Sequence, residues 1–66
     1  MRTKLRIARI KLGIKQIEVA SAVKVSPVYY SLIESGKRDP SEDIWRRIQK
    51  TLYLTDRQLT AIRKEK

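Results

Sequence analysis

Cysteine and histidine are both absent from this chain of 66 residues. Without them the chain can form no disulfide, and it lacks the usual ligands of structural zinc and the imidazole group that most often acts as a general base. No apolar run approaches the roughly 18 residues that a membrane span requires, and the N-terminus alternates apolar with basic residues instead of carrying a signal-peptide core. We therefore expect a cytoplasmic protein without metal, other cofactor or membrane attachment.

Motifs of catalysis are lacking as well. The chain has only two glycines, and they form no phosphate-binding loop. Its acidic residues show no paired or metal-ligating arrangement, and no activated nucleophile is evident. These absences predict that the chain is not an enzyme.

Positive charge is present in excess. Sixteen lysines and arginines against seven acidic residues give a formal net charge of +9. Residues 1–38 carry nine of the basic side chains and two acidic ones, hence +7, whereas residues 39–66 carry seven and five, hence +2. Such a field attracts polyanions, which makes nucleic acid the first candidate partner. A solvated basic surface, or a basic amphipathic helix at a membrane, would carry the same charge.

Turn-forming residues divide the chain into five apolar-periodic segments, each suited to a helix of two or three turns. The breaks fall at residue 13 and at 24–27, 36–40 and 53–55. No strand-like alternation persists. The predicted fold class is therefore all-α, with residues 1–66 forming a single compact five-helix domain.

The predicted helices begin and end at recognisable residues. Helix one covers about 2–12 and ends before Gly13, helix two covers 16–23, and helix three starts after Ser26, which can cap it ahead of Pro27. Helices four and five lie within about 41–64, the fifth opening with Thr55 and Gln58 at capping-box spacing. Helix four could begin at any of residues 39–41. The predicted core consists of Leu5, Ala8, Leu12, Ile14, Val19, Ala20, Val23, Tyr30, Ile33, Ile44, Trp45, Ile48, Leu52, Leu59 and Ile62.

Helix two, a short turn and helix three have the size and order of a helix-turn-helix, at about 16–35, with the small residue Ala20 where the helices approach each other. Over nearly its whole length the chain resembles the Cro and CI repressor family of helix-turn-helix proteins, also called the xenobiotic-response-element family. The residues that carry the resemblance are Leu5, Arg9, Gly13, Ile14, Gln16, Val19, Ala20, Val23, Val25, Ser26, Ile33, Glu34, Gly36, Lys37, Pro40, Ser41 and Leu52. The resemblance implies a lambda-repressor-like domain that regulates transcription.

The resemblance also implies roles for individual polar residues. Gln16 matches a glutamine that hydrogen-bonds a DNA phosphate at the start of helix two, where Lys15 adds charge. Lys37 and Arg38 lie in the loop after helix three, where family members contact the DNA backbone. Arg9 and Glu34 match a salt bridge that ties helix one to the end of helix three. Each of these residues could instead be an ordinary solvated side chain.

Helix three departs from the family pattern. Where the family usually places polar residues to read base edges, this chain has Pro27, Val28 and Leu32, with Tyr29 beside them, and Ile17 occupies an ordinarily polar position on helix two. A bidentate polar contact supplies roughly 1–3 kcal/mol of discrimination, whereas apolar side chains meet only thymine methyls. We expect weak direct readout and an exposed apolar face, unless the tyrosine or the leucine folds into the core.

Two functions fit this pattern. The first is a phage-type regulator of the lysis–lysogeny switch that acts at least partly by binding a partner repressor protein. In this respect the chain resembles the modulator-of-repression antirepressors of temperate phages, which would place it in a bacterial host cell. The partner face would consist of Ile17, Ser26, Pro27, Val28, Tyr29, Ser31 and Leu32. The alternative is a Cro-like repressor that binds double-stranded operator DNA directly. The depleted helix three favours the first function and the charge favours the second; either is compatible with a homodimer.

Overall fold

The computed structural model describes all residues, 1–66, and consists of five α-helices without a strand. The helices are α1 (Thr3–Lys11), α2 (Gln16–Val23), α3 (Pro27–Ser35), α4 (Glu42–Thr51) and α5 (Asp56–Lys64). The predicted all-α, five-helix fold is therefore confirmed. None of these helices has the length and apolar character needed to cross a bilayer.

Side-chain caps fix where three of the helices begin. The Ser26 hydroxyl accepts a hydrogen bond from the Tyr29 amide at 3.1 Å, with proline at the first position of α3. Thr55 and Gln58 form the reciprocal capping box at the start of α5, with distances of 3.1 and 2.8 Å. Ser41, the last of the three candidate residues, is the N-cap of α4 and accepts from the Ile44 amide at 3.3 Å, so the helix itself begins at Glu42. Each cap satisfies an amide that the first helical turn leaves without a partner.

Gly36 closes α3 in the left-handed region, with φ of +85°. A Cβ atom at this position would lie 2.6 Å from the backbone carbonyl carbon of Lys66. Gly13 has a similar φ of +69°, yet a Cβ atom there would meet nothing within 4 Å. Glycine is thus required at Gly36 both for the backbone conformation and for the close approach of another segment, and at Gly13 for the conformation alone.

The core lies around α2, which packs against both α3 and α4, while α1 packs against α3 and α5. The buried apolar residues are Leu5, Val19, Ala20, Val23, Tyr30, Ile33, Trp45, Ile48, Leu52, Leu54, Leu59 and Ile62. Burying each large aliphatic side chain contributes roughly 1.5–3 kcal/mol. All but Leu54 were predicted core positions.

Leu12 was wrongly predicted to lie in the core, since 43% of its surface is exposed. Helix α1 ends at Lys11, so Leu12 leaves the helical periodicity and caps the helix through its backbone amide. The chain then turns, and the half-buried Ile14 packs against the core at this place. Ala8 and Ile44 are likewise only partly buried at the edge of the core.

Candidate nucleic-acid interface

Helix α3 presents one face to solvent, and the residues around that face form what we call the recognition surface. It consists of Lys15, Gln16, Ile17, Ser26, Pro27, Val28, Tyr29, Ser31, Leu32, Lys37 and Arg38. The ends of α2 and α3 and the loop after α3 bring these residues to neighbouring positions, because α2 packs directly on α3.

Two depressions flank α3, and each contains cationic side chains. The first lies between α3 and the loop that follows it, and is lined by Ser26, Val28, Tyr29, Leu32, Lys37, Arg38 and Asp39. The second lies toward the start of α2, and is lined by Met1, Arg6, Arg9, Lys15, Gln16, Ser31, Glu34 and Ser35. The predicted phosphate contacts therefore fall in two groups, one on either side of α3. A helix inserted in the major groove, about 12 Å wide, has a phosphate strand on each side.

Arg6 borders the recognition surface, although its position in the sequence did not single it out. It is exposed and lines the same depression as Lys15 and Gln16. The only sequence signal for it was the surplus of positive charge in residues 1–38, which does not distinguish one lysine or arginine from another.

The apolar part of the recognition surface is smaller than expected. Val28 is 71% exposed and Ile17 is 60% exposed. Tyr29 and Leu32 are only half-buried rather than exposed, and the tyrosine packs against the core. Each of these two residues immediately precedes a core residue of α3, and a helix advances about 100° per residue, so both lie on the flank of the buried face.

Polar side chains that could read bases are scarce on α3. The Ser26 hydroxyl oxygen is engaged as the helix cap, and Ser35 donates its hydroxyl hydrogen to the Leu32 carbonyl at 2.9 Å. Ser31 is exposed and has no hydrogen-bond partner within the chain. The free hydroxyls of α3, on Ser31 and on the half-buried Tyr29, provide far less base discrimination than a bidentate amide or guanidinium.

Arg9 and Glu34 are in direct contact. Arg9 Nε and Nη2 donate to the two carboxylate oxygens of Glu34 at 2.9 and 3.0 Å, and Arg9 Nη1 donates to the Ile14 carbonyl at 2.8 Å. Gln16 Nε2 donates to Glu34 Oε1 at 3.2 Å. The Gln16 side chain, which is expected to bind phosphate, is therefore held by the Glu34 carboxylate that also ties α1 to α3.

This network shifts the pKa values of its members. Burial acts to raise the pKa of Glu34, but the hydrogen bonds to its carboxylate, chiefly the one from Arg9, together with the Arg9 charge outweigh it and leave the pKa below its usual value. The hydrogen bond to Glu34 raises the pKa of Arg9. Burial, with the Glu34 charge nearby, also raises the pKa of the Tyr30 hydroxyl. All these shifts favour the charged salt bridge next to a neutral tyrosine.

Arg2 is a buried residue that the sequence analysis missed. Its side chain is fully buried, and its guanidinium carbon lies 5.0 Å from the centre of the Trp45 ring. Arg2 Nη1 donates to the Ile33 carbonyl at 2.6 Å and to the Arg38 carbonyl at 2.9 Å, while Nη2 donates to the Asp39 carboxylate. No feature of sequence spacing distinguished this arginine from the exposed ones.

The contacts of Arg2 fix the loop that carries Lys37 and Arg38. The Arg2 backbone amide donates to the Glu34 carbonyl at 2.8 Å, so Arg2 contacts the end of α3 as well as the loop. Lys66 Nζ donates to the other Asp39 oxygen at 2.9 Å, and the hydrogen bonds from Lys66 and Arg2 lower the pKa of Asp39. Both ends of the described chain thus hold the loop that forms one side of the recognition surface.

Metal-ligating side chains do not converge anywhere in the structure. No group of three or more Asp, Glu, His or Cys residues is placed to hold an ion.

Comparison with known proteins gives two matches. The helix-turn-helix family model matches residues 5–55. A Bacillus subtilis (strain 168) protein described as "Uncharacterized HTH-type transcriptional regulator YqaF" is 38% identical over 52 residues, which cover 79% of this chain and 68% of that protein. No solved structure gives a significant match. The range matched by the family includes the whole recognition surface.

Proposed function

Because the chain belongs to the helix-turn-helix family, whose members are transcriptional regulators and not enzymes, we propose that it regulates transcription by gripping the phosphate backbone of double-stranded DNA through its recognition surface. In this arrangement α3 lies in the major groove. Lys15 and Gln16 contact the strand on one side of the groove, and Lys37 and Arg38 contact the strand on the other. We place this activity in the cytoplasm of a bacterial host.

The observation that carries the proposal is the position of the cations on both sides of α3. Five cationic side chains line the two depressions beside this helix: Arg6, Arg9, Lys15, Lys37 and Arg38. The amides of Gln16 and Ile17 at the start of α2 have no acceptor within the chain, so they are available to a phosphate oxygen as well.

Binding of this kind is mainly electrostatic. Val28 is 71% exposed on α3, and only the hydroxyls of Ser31 and the half-buried Tyr29 are free there. We therefore expect affinity to depend strongly on salt and weakly on DNA sequence.

Fluorescence anisotropy with a labelled duplex of about two helical turns tests the proposal. Across about 50 to 200 mM salt, log K should fall linearly with log salt, and each lost phosphate contact should reduce the slope by roughly 0.9. Lys37→Gln and Lys15→Gln should each reduce the slope, since they lie on opposite sides of α3. Lys50→Gln, on the exposed side of α4, is the matched control for loss of one charge. Equal effects of all three changes would contradict the proposal.

A second candidate function is binding to a partner repressor protein, as in the antirepressors of temperate-phage lysogeny switches. It is favoured by the exposure of Ile17 and Val28 on the recognition surface, because exposed aliphatic residues near an interface centre are typical anchors. It is weakened by the partial burial of Tyr29 and Leu32. We therefore rank it below direct DNA binding.

The double variant Ile17→Ser, Val28→Ser separates the two functions. It removes apolar contact area but no charge, so it should leave the non-specific affinity for DNA within about twofold of the original. Regulation is measured with a reporter for the native promoter, after circular dichroism has established that the variant is folded. Loss of regulation with DNA affinity retained supports the protein-binding function. If regulation persists, while Lys37→Gln abolishes it, the protein-binding function is wrong.

A further inference from the structure

A groove between α1 and α5 lies outside the recognition surface and shares no residue with it. Its floor is apolar and is formed by Ile7, Ala8, Leu54, Ala61 and Ile62. Leu54 and Ile62 also belong to the core, whereas Ile7 is 47% exposed. The short side chains of the two alanines leave space that larger residues would fill, so the groove can accept apolar side chains from outside.

The rim of the groove is cationic. It carries Lys4, Lys11 and Arg57. Lys4 approaches Glu65 at 3.9 Å, but Lys11 and Arg57 form no ion pair with any residue of the chain. An occupant of the groove would therefore meet an apolar floor between unpaired positive charges.

A second copy of this chain is a poor complement to such a groove. Six of its seven acidic side chains are already in ion pairs with its own cations: Glu34, Asp39, Glu42, Asp43, Asp56 and Glu65. The seventh, Glu18, accepts from the Lys15 amide at the start of α2. Two chains of net charge +9 would oppose cations to cations across the groove, which disfavours their association. DNA would supply negative charge but nothing apolar for the floor.

We propose that this groove binds an acidic amphipathic segment of another protein. A helical segment with apolar residues at i, i+3 and i+7 would place these on the floor, and carboxylates beside them would contact Lys11 and Arg57. The groove and the recognition surface are separate, so both can be occupied at once. The proposal does not depend on DNA binding.

The test uses the full chain, labelled with ¹⁵N, and a synthetic helical peptide with leucines at i, i+3 and i+7 and glutamates elsewhere. Two control peptides separate the contributions, one with lysines in place of the glutamates and one with alanines in place of the leucines. Amide chemical shifts report where each peptide binds. The acidic leucine peptide should shift amides of α1 and α5, and each control peptide should bind at least roughly tenfold more weakly, which corresponds to about 1.4 kcal/mol.

Matched variants distinguish the groove from general electrostatic attraction. Arg57→Glu should weaken the acidic leucine peptide at least roughly tenfold, while Lys50→Glu, the same charge change on α4, should weaken it less than about twofold. Ile7→Ser should weaken binding without changing the net charge. The fold of each variant is checked by circular dichroism.

Several results would overturn the proposal. Shifts confined to α3 and the following loop, or equal effects of Arg57→Glu and Lys50→Glu, would show only attraction to a basic protein. No binding of the acidic leucine peptide would count equally against it. Shifts on α1 and α5 that depend on protein concentration without peptide, together with a dimer in sedimentation equilibrium, would make a second copy the occupant.

Discussion

Replacing Arg2 by methionine is expected to destabilise the fold far more than the same exchange at the exposed Arg6. The change removes the hydrogen bonds that Arg2 donates to the carbonyls of Ile33 and Arg38, so that the Ile33 carbonyl keeps only its hydrogen bond from the Gly36 amide. A hydrogen bond from a charged group contributes about 1.5–3 kcal/mol, so the loss of two amounts to roughly 3–6 kcal/mol. The Asp39 carboxylate is exposed and can be hydrated again, so it adds little. Methionine retains much of the contact with the Trp45 ring.

This loss is large relative to the whole stability of the domain. At about 0.05–0.15 kcal/mol per residue, a chain of 66 residues has roughly 3–10 kcal/mol of unfolding free energy. Arg2→Lys should cost less, roughly 1–3 kcal/mol, because an ammonium keeps the charge but cannot reach all three acceptors. Arg6→Met is the matched control, since Arg6 is exposed and its replacement should change stability by no more than about 0.5 kcal/mol.

Urea unfolding followed by the fluorescence of Trp45, the only tryptophan, measures these differences. The ring lies next to Arg2, so circular dichroism is used in parallel to separate local from global changes. If Arg2→Met and Arg6→Met lowered the free energy of unfolding equally, the assignment of Arg2 as the buried residue that holds the loop would be refuted.

Three further predictions concern α3 and its surroundings. In a double-mutant cycle, Arg9→Met and Glu34→Leu should each lower the free energy of unfolding by about 3–5 kcal/mol, because each single change leaves the other charge unpaired. The double variant should lose less than the sum of the two, and strict additivity would contradict this. Gly36→Ala should lower the melting temperature more than Gly13→Ala, since only Gly36 meets another segment at 2.6 Å; equal effects would exclude the steric contribution. Folding lowers the pKa of Glu34 from its ordinary value of 4.5. The ionised Glu34 therefore stabilises the fold fully above pH 4.5, and this stabilisation is lost as the pH falls through the lower pKa of the folded state. The difference in unfolding free energy between the original chain and Glu34→Gln should shrink in the same range, and a difference independent of pH would contradict it.

Local sequence signals predicted the helices well because most of the helices begin at a side-chain cap or end at a glycine. Ser26 and Thr55 cap their helices as expected, and Gly36 ends α3. Lys24 is different, since it closes α2 with φ of +64° without being glycine. Lysine has no preference for the left-handed region, so propensity alone does not specify this conformation.

The candidate site was less predictable because it depends on partial burial and on distant partners. Helical periodicity separates a buried from an exposed face, but Tyr29 and Leu32 lie on the flank, where packing of the neighbouring loop decides their exposure. Arg2 finds acceptors more than 30 residues away in the chain. Such a contact follows only from the path of the backbone, and composition favours leaving an arginine in solvent.

Selectivity for a promoter must come from somewhere other than α3 if α3 offers the bases only the hydroxyls of Ser31 and Tyr29. One source is DNA shape, since cations on both sides of α3 respond to the spacing of the two phosphate strands. Another is a partner held in the α1–α5 groove, because a second contact with the same promoter complex raises the effective concentration of the regulator without any change in its own DNA contacts. The two sources differ in their salt dependence. A bound partner should raise the affinity for DNA without changing how many phosphates this chain contacts, so this chain's contribution to the salt slope stays the same. Adaptation to DNA shape changes the number of phosphates contacted and therefore changes the slope.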